Sequence, residues 1–176
     1  REERVPGSAA IALHHLAPKD GGGRIAIPEP LASAEAGIEW LLGLQNRDGG
    51  IPTFCRGWGK LPFDKSCPDL TAHALRAWFA WRGGLSEPLR ARMDHAAARA
   101  LRFLMETQER GGYWIPLWFG NQQAPEQHNS VYGTALVLAV PALPQARDYD
   151  GLRLAWERAR ERALAGFKAG KIRVLV

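Results

Sequence analysis

Apolar residues recur at helical spacing in five stretches of this chain, separated by runs of turn-forming residues. Ile38, Leu41, Leu42 and Leu44 form a 3.6-residue stripe behind Ser33, which predicts a helix capped by Ser33 and running to about Gln45. Asp48-Gly49-Gly50 stops it, because glycine tolerates the backbone angles of a helix exit. Leu70, Ala74, Leu75 and Trp78 continue the pattern to Gly83-Gly84. There Ser66, Pro68 in the first turn and Asp69 three residues after the serine read as a variant capping box. Ser86 and Pro88 open a third helix that reaches Gln108, with Leu101, Leu104 and Met105 on one stripe. A fourth helix is expected from Ser130 to Ala139, halted near Pro141, and a fifth from Asp150 to Ala169. No stretch alternates as a strand does, so the fold class is all-α.

A single offset relates two parts of this pattern. Gln45 and Gln108 stand 63 positions apart, as do Gly49 and Gly112, Thr71 and Thr134, Ala72 and Ala135, and Leu75 and Leu138. The aromatics Trp40 and Phe103 share the offset, and so do the candidate caps Ser66 and Asn129. One ungapped register therefore relates 34–80 to 97–143, the mark of a repeat architecture in which no unit buries its apolar face alone. The fifth helix should open a third unit, yet no Gln-x-x-x-Gly follows it before KIRVLV. Residues 1–30 read as a separate segment, with a short helix at Ser8–Leu16 and a flexible connector at Gly21-Gly22-Gly23, leaving 31–176 as the domain.

Composition narrows the class. The 176 residues, 46% hydrophobic and 23% charged, suffice for one domain with a core. The net charge of +5 is spread over arginine-rich helix faces (Arg90, Arg92, Arg99 and Arg102, then Arg153, Arg158, Arg160 and Arg162). These read as solvated, so nucleic acid is not an expected partner. Two cysteines, Cys55 and Cys67, make no disulfide framework, and the start REERVPG carries no apolar leader, so a reducing, cytoplasmic compartment is expected. The longest apolar stretch, Val131 to Leu143, is too short to span a bilayer.

The two inter-helix loops hold the candidate chemistry. Phe54, Trp58 and Phe63 lie on the first, and Tyr113, Trp114, Trp118 and Phe119 on the second. Loops of this length in a compact domain are functional or packed upon themselves.

WLLGLQNRDGG with the later TAHALRAW, and FLMETQERGGYW with VYGTALVLAV, resemble the Gln-Trp repeat of the squalene–hopene cyclase and terpene cyclase superfamily over about 31–143. The second copy keeps Gln108, Gly112 and Trp114 in the Gln-x-x-x-Gly-x-Trp spacing, whereas Ile51 replaces the tryptophan in the first. The resemblance implies an (α/α) toroid of helical hairpins, here an incomplete ring of about two repeats plus part of a third. Its glutamines bond to a neighbouring helix end and its tryptophan stacks beside them. It implies an isoprenoid or triterpene substrate in an apolar pocket where the inner helices begin, no metal or organic cofactor, and peripheral contact with a membrane leaflet. Two repeats cannot close a ring of roughly six hairpins, so the remainder of a longer chain or a homodimer partner is expected to complete it.

In that family an Asp-x-Asp-Asp-Thr-Ala motif supplies the acid that protonates an alkene or epoxide. Laid over Thr71-Ala72, this chain reads Cys67-Pro68-Asp69-Leu70-Thr71-Ala72. The proton donor falls on Asp69, while Cys67 and Leu70 replace the other two acids. A carboxylate at a helix N-terminus is stabilised as the anion, so a helix cap is the competing role for Asp69. Aromatic faces steady carbocations, which makes Phe54, Trp58, Phe63, Trp118, Phe119 and Tyr132 the candidate substrate-binding residues. Cys67, Asp69 and His73 are also ligand types suited to zinc, as in the superfamily's prenyltransferases. The non-enzyme alternative is a partial toroid that binds or oligomerises without catalysis.

Overall fold

A computed structural model of the chain describes residues 29–56, 61 and 64–172. The expected helix at Ser8–Leu16, its glycine connector, Trp58 and Phe63 lie outside the described residues. The five expected helices are present: α1 Glu29–Leu44, α2 Pro68–Trp81, α3 Glu87–Glu106, α4 Ser130–Leu138 and α5 Arg153–Lys168. The described residues are all-α apart from one two-residue bridge, β1 Ile51–Pro52 antiparallel to β2 Ser66–Cys67. That pairing is too short for any periodicity to reveal. Among the described residues no helix is long and apolar enough to cross a membrane.

Two expected caps are corrected. Helix α1 starts at Glu29, with Pro30 in its first turn where a missing N–H does no harm, so Ser33 lies within the helix. Ser66 does not cap α2. The N-cap residue is Cys67, and Ser66 Oγ instead donates to Asp48 Oδ1 at 2.7 Å and accepts from Asn46 Nδ2 at 3.0 Å. The bridge commits Ser66 to extended backbone and turns its hydroxyl toward the first loop. Asn129 does cap α4, accepting from the Tyr132 N–H at 3.2 Å.

Helices α1, α3 and α5 pack side by side in one row, and α2 and α4 in a second row against them. The core between the rows holds Trp78, Trp114, Trp156, Tyr149, Ile38, Leu75, Met93, Leu101, Leu104 and Val137, all fully buried. Burial of this apolar surface dominates the folding free energy.

The repeat is reproduced in hydrogen bonds. Gln45 Nε2 donates to the carbonyls of Gly49 and Ala96, both at 2.8 Å. Gln108 Nε2 donates to those of Gly112 and Ala159, at 2.9 and 2.8 Å. The Ile51 N–H donates to Thr71 Oγ1 at 2.9 Å, and the Trp114 N–H to Thr134 Oγ1 at 3.1 Å. Donor and acceptor alike move by 63 residues. Ala96 and Ala159 lie within α3 and α5, so the glutamines reach the middle of the neighbouring helix and not its end. Trp114 is buried, and its Nε1 donates to the Leu104 carbonyl at 2.6 Å, a contact Ile51 has no means to copy.

Arg99 and Arg162 are not merely solvated. Arg99 donates to the carbonyls of Asn46 and Arg47, at 2.7 and 3.0 Å, and Arg162 Nε donates to Gln108 Oε1 at 2.9 Å. Each arginine holds the turn that follows the preceding helix of its row.

Candidate functional site

The site is built where α2 and α4 begin. Thr71 Oγ1 donates to the Cys67 carbonyl at 2.7 Å while accepting from Ile51, which fixes the bridge to the first turn of α2. Cys67 and Asp69 are thereby held at the neck of the first loop, each 1% exposed.

Asp69 Oδ1 accepts from the Cys67 thiol, and Oδ2 is buried without a hydrogen-bond partner. No backbone N–H of α2 is bonded to this carboxyl, so Asp69 is not the helix cap that its position promised. Burial, together with the neighbouring Asp69, pushes the Cys67 thiol up to about 12, partly offset by a 3.2 Å hydrogen bond from the Leu117 N–H to Sγ. The thiol therefore stays protonated at neutral pH and donates to the Asp69 carboxyl.

Tyr132, in the first turn of α4, is the counterpart of Asp69 in the second repeat. Its phenol is held above the ordinary tyrosine value by burial first, then by Asp69 and Cys67, which places all three in one electrostatic neighbourhood. The Phe119 ring lies 5.0 Å from Tyr132 at a 48° tilt. Phe54 and Trp118 meet across the two loops at 6.4 Å, where Trp118 Nε1 donates to Thr53 Oγ1. The structure thus joins Tyr132 to Phe119 by ring contact and to Asp69 electrostatically, and pairs Phe54 with Trp118. Phe54, Trp118 and Phe119 are 71%, 47% and 52% exposed, and form an open rim. Two grooves of about 560 and 580 Å³ lie elsewhere, beside Arg102 and Arg147 and beside Glu39 and Arg92.

His73 follows Asp69 by one helical turn, its Nδ1 buried and unpartnered. Burial and then Arg76 lower its pKa below the ordinary 6.5, against the opposite pull of Asp69. An unfolded histidine takes up its proton first, so the stability His73 confers is complete above pH 6.5 and is lost as the pH falls through its folded value. The urea midpoint is expected to drop between about pH 7.5 and about pH 5.5, and to drop less in His73→Gln. Equal drops in both proteins would remove His73 from the account. Among the described residues no three His, Cys, Asp or Glu side chains are grouped to hold a metal ion. Cys67, Asp69 and His73 do not form the zinc set that their types allowed.

The sequence singled out Asp69 and Tyr132 but missed Leu117, whose contribution is a backbone N–H. It named Cys67 only as a substitution or a zinc ligand, whereas the thiol is the hydrogen-bond donor to the carboxyl.

The chain is similar to terpene cyclases. It is 34% identical to enfumafungin synthase of Hormonema carpetanum over 58% of its own length, and 34% identical to a terpene cyclase–glycosyl transferase fusion protein of Humicola fuscoatra over 60%. Identity to the squalene–tetrahymanol cyclase of Tetrahymena thermophila is 28% over 46% of the chain. The chain spans 8%, 9% and 14% of these relatives. No family model and no solved structure matches it.

Proposed function

We propose that this chain is part of the wall of a terpene cyclase toroid and presents an acid and an aromatic rim to an isoprenoid. The observation that carries this reading is Asp69, a buried carboxyl with one oxygen held by a thiol and the other unpartnered, in the electrostatic neighbourhood of Tyr132. The terpene cyclase relatives and the 63-residue hydrogen-bond register support it.

In the reaction, Oδ2 of a protonated Asp69 delivers its proton to one carbon of an alkene. The π electrons form the new C–H bond and leave a cation on the other carbon. Electron-rich aromatic faces steady the cation as rings close, with Phe54, Trp58, Phe63, Trp118, Phe119 and Tyr132 as the candidates. Loss of a proton to a base then regenerates an alkene. The Cys67 thiol fixes the carboxyl's orientation through Oδ1 and so leaves Oδ2 as the delivering atom. The remaining walls come from the rest of a longer chain or from a second copy, and the open rim faces them or a membrane leaflet.

A second reading is favoured by the same hydrogen bond, because a thiol donating to a carboxylate stabilises the anion. On that reading the rim binds an isoprenoid without cyclising it. Squalene turnover by the complete protein decides between them. Asp69→Asn is expected to lower product formation roughly hundredfold or more while squalene binding is kept. Undiminished product would remove Asp69 as the acid. Binding without product in either protein would leave the second reading.

A further inference from the structure

Asp69 is 1% exposed, so a ligand has no path to Oδ2 in this conformation. The strip Leu117–Phe119 contacts this site at three points. The Leu117 N–H bonds Cys67 Sγ, the Phe119 ring lies on Tyr132, and Trp118 bonds Thr53 on the other loop. The strip has no helix or strand of its own, and its three side chains are 40–52% exposed. It hangs between two fixed points. One is Trp114, buried and bonded to Thr134, and the other is Asn121, whose N–H closes a turn onto the Gln127 carbonyl. Between them the Leu117 bond to sulfur is its one backbone hydrogen bond among the described residues.

We infer that Leu117–Phe119 is a strap closed over Cys67 and Asp69, latched at its outer edge by Trp118 on Thr53, and that it lifts to admit a ligand. A segment held by one backbone bond and a few exposed contacts opens locally at far lower free energy than the whole chain unfolds. The strap's contacts are those a moving element needs. They are few, and one of them joins it to Cys67, whose thiol donates to the carboxyl. The inference rests on Asp69 being the group that a ligand must reach.

The buried Cys67 thiol serves as the reporter. In a Cys55→Ser background, which removes the exposed thiol, iodoacetamide labelling of Cys67 is followed by mass spectrometry. Thr53→Val, which keeps shape and removes the latch acceptor, is expected to raise the labelling rate roughly two- to tenfold, the worth of one net hydrogen bond. Trp118→Ala, which also removes the ring contact, is expected to raise it further. Low urea should leave these rates nearly flat, since local opening exposes little surface. Unchanged rates in both folded variants would overturn the strap, as would a urea dependence matching global unfolding. Labelling needs no substrate, so the two readings fail separately. Latch-dependent labelling with full product from Asp69→Asn sinks the acid alone, and lost product with latch-independent labelling sinks the strap alone.

Discussion

Asp94→Ala is expected to lower the unfolding free energy by about 3–5 kcal/mol, the range for breaking a buried ion pair by removing one partner. Asp94 is 5% exposed on α3 and accepts three hydrogen bonds. Arg82 approaches as a fork, Nε at 2.8 Å from Oδ1 and Nη2 at 2.7 Å from Oδ2, and the Tyr149 hydroxyl donates to Oδ1 at 2.8 Å. The carboxylate thus ties the end of α2, the body of α3 and the turn that leads into α5. Burial and the Asp94 charge hold the Tyr149 phenol far above its ordinary value, so it remains a neutral donor, and Phe79 packs edge-on against it at 5.7 Å. Alanine would leave the Arg82 side chain, 24% exposed, to recover part of its loss from water, while the Tyr149 hydroxyl would stay buried and unpaired. The lower half of the range is therefore expected. Tyr149→Phe, which loses one bond to a charged group, should cost about 1.5–3 kcal/mol. Urea unfolding followed by circular dichroism measures both, and a loss below about 1 kcal/mol for Asp94→Ala would reduce the network to the worth of a surface pair.

That network shows what self-comparison of the sequence fails to see. The 63-residue offset pairs Asp94 with another acid, Glu157, but pairs its donors Tyr149 with Ser86 and Arg82 with Gln145, so the network has no copy in the other unit. Contacts made once leave no periodic trace. The glutamine, glycine and threonine bonds are made twice, and the offset alone located them. Arg99 and Arg162 share the offset too, yet charge led to a solvated reading, because sequence patterning does not show an arginine reaching a loop carbonyl. Ser66 misled through propensity, since the β1–β2 bridge overrode its capping preference. The site divides in the same way. Asp69 and Tyr132 were legible as one position in two repeats, whereas the Leu117 N–H belongs to the backbone and carries no residue signature. The tilt of Phe119 on Tyr132 depends on a loop conformation that no spacing rule fixes.

Gly112→Ala is expected to cost about 3–5 kcal/mol, from two independent sources. Gly112 has φ +87°, where an L-residue loses about 1–2 kcal/mol relative to glycine. A Cβ there would also stand 2.4 Å from the Arg162 carbonyl oxygen and 2.8 Å from its carbon. Those atoms belong to the backbone of α5, so no rotamer change relieves the overlap and the helix itself must move. Displacing α5 would in turn lengthen the Gln108 bond to Ala159, now 2.8 Å, which adds a partly unsatisfied carboxamide to the loss. Gly49 repeats the arrangement, with φ +93° and a Cβ position 2.5 Å from the Arg99 carbonyl on α3. Gly43, inside α1 with nothing within 4 Å of its Cβ position, is the control, and alanine there should stabilise by about 0.5–1 kcal/mol. Urea midpoints for the three variants separate the contributions. Near-equal losses at Gly49 and Gly112 would mean that α5 is held as firmly against its loop as α3 is. A Gly112→Ala loss confined to the φ penalty would mean that α5 slides away from its loop at little cost.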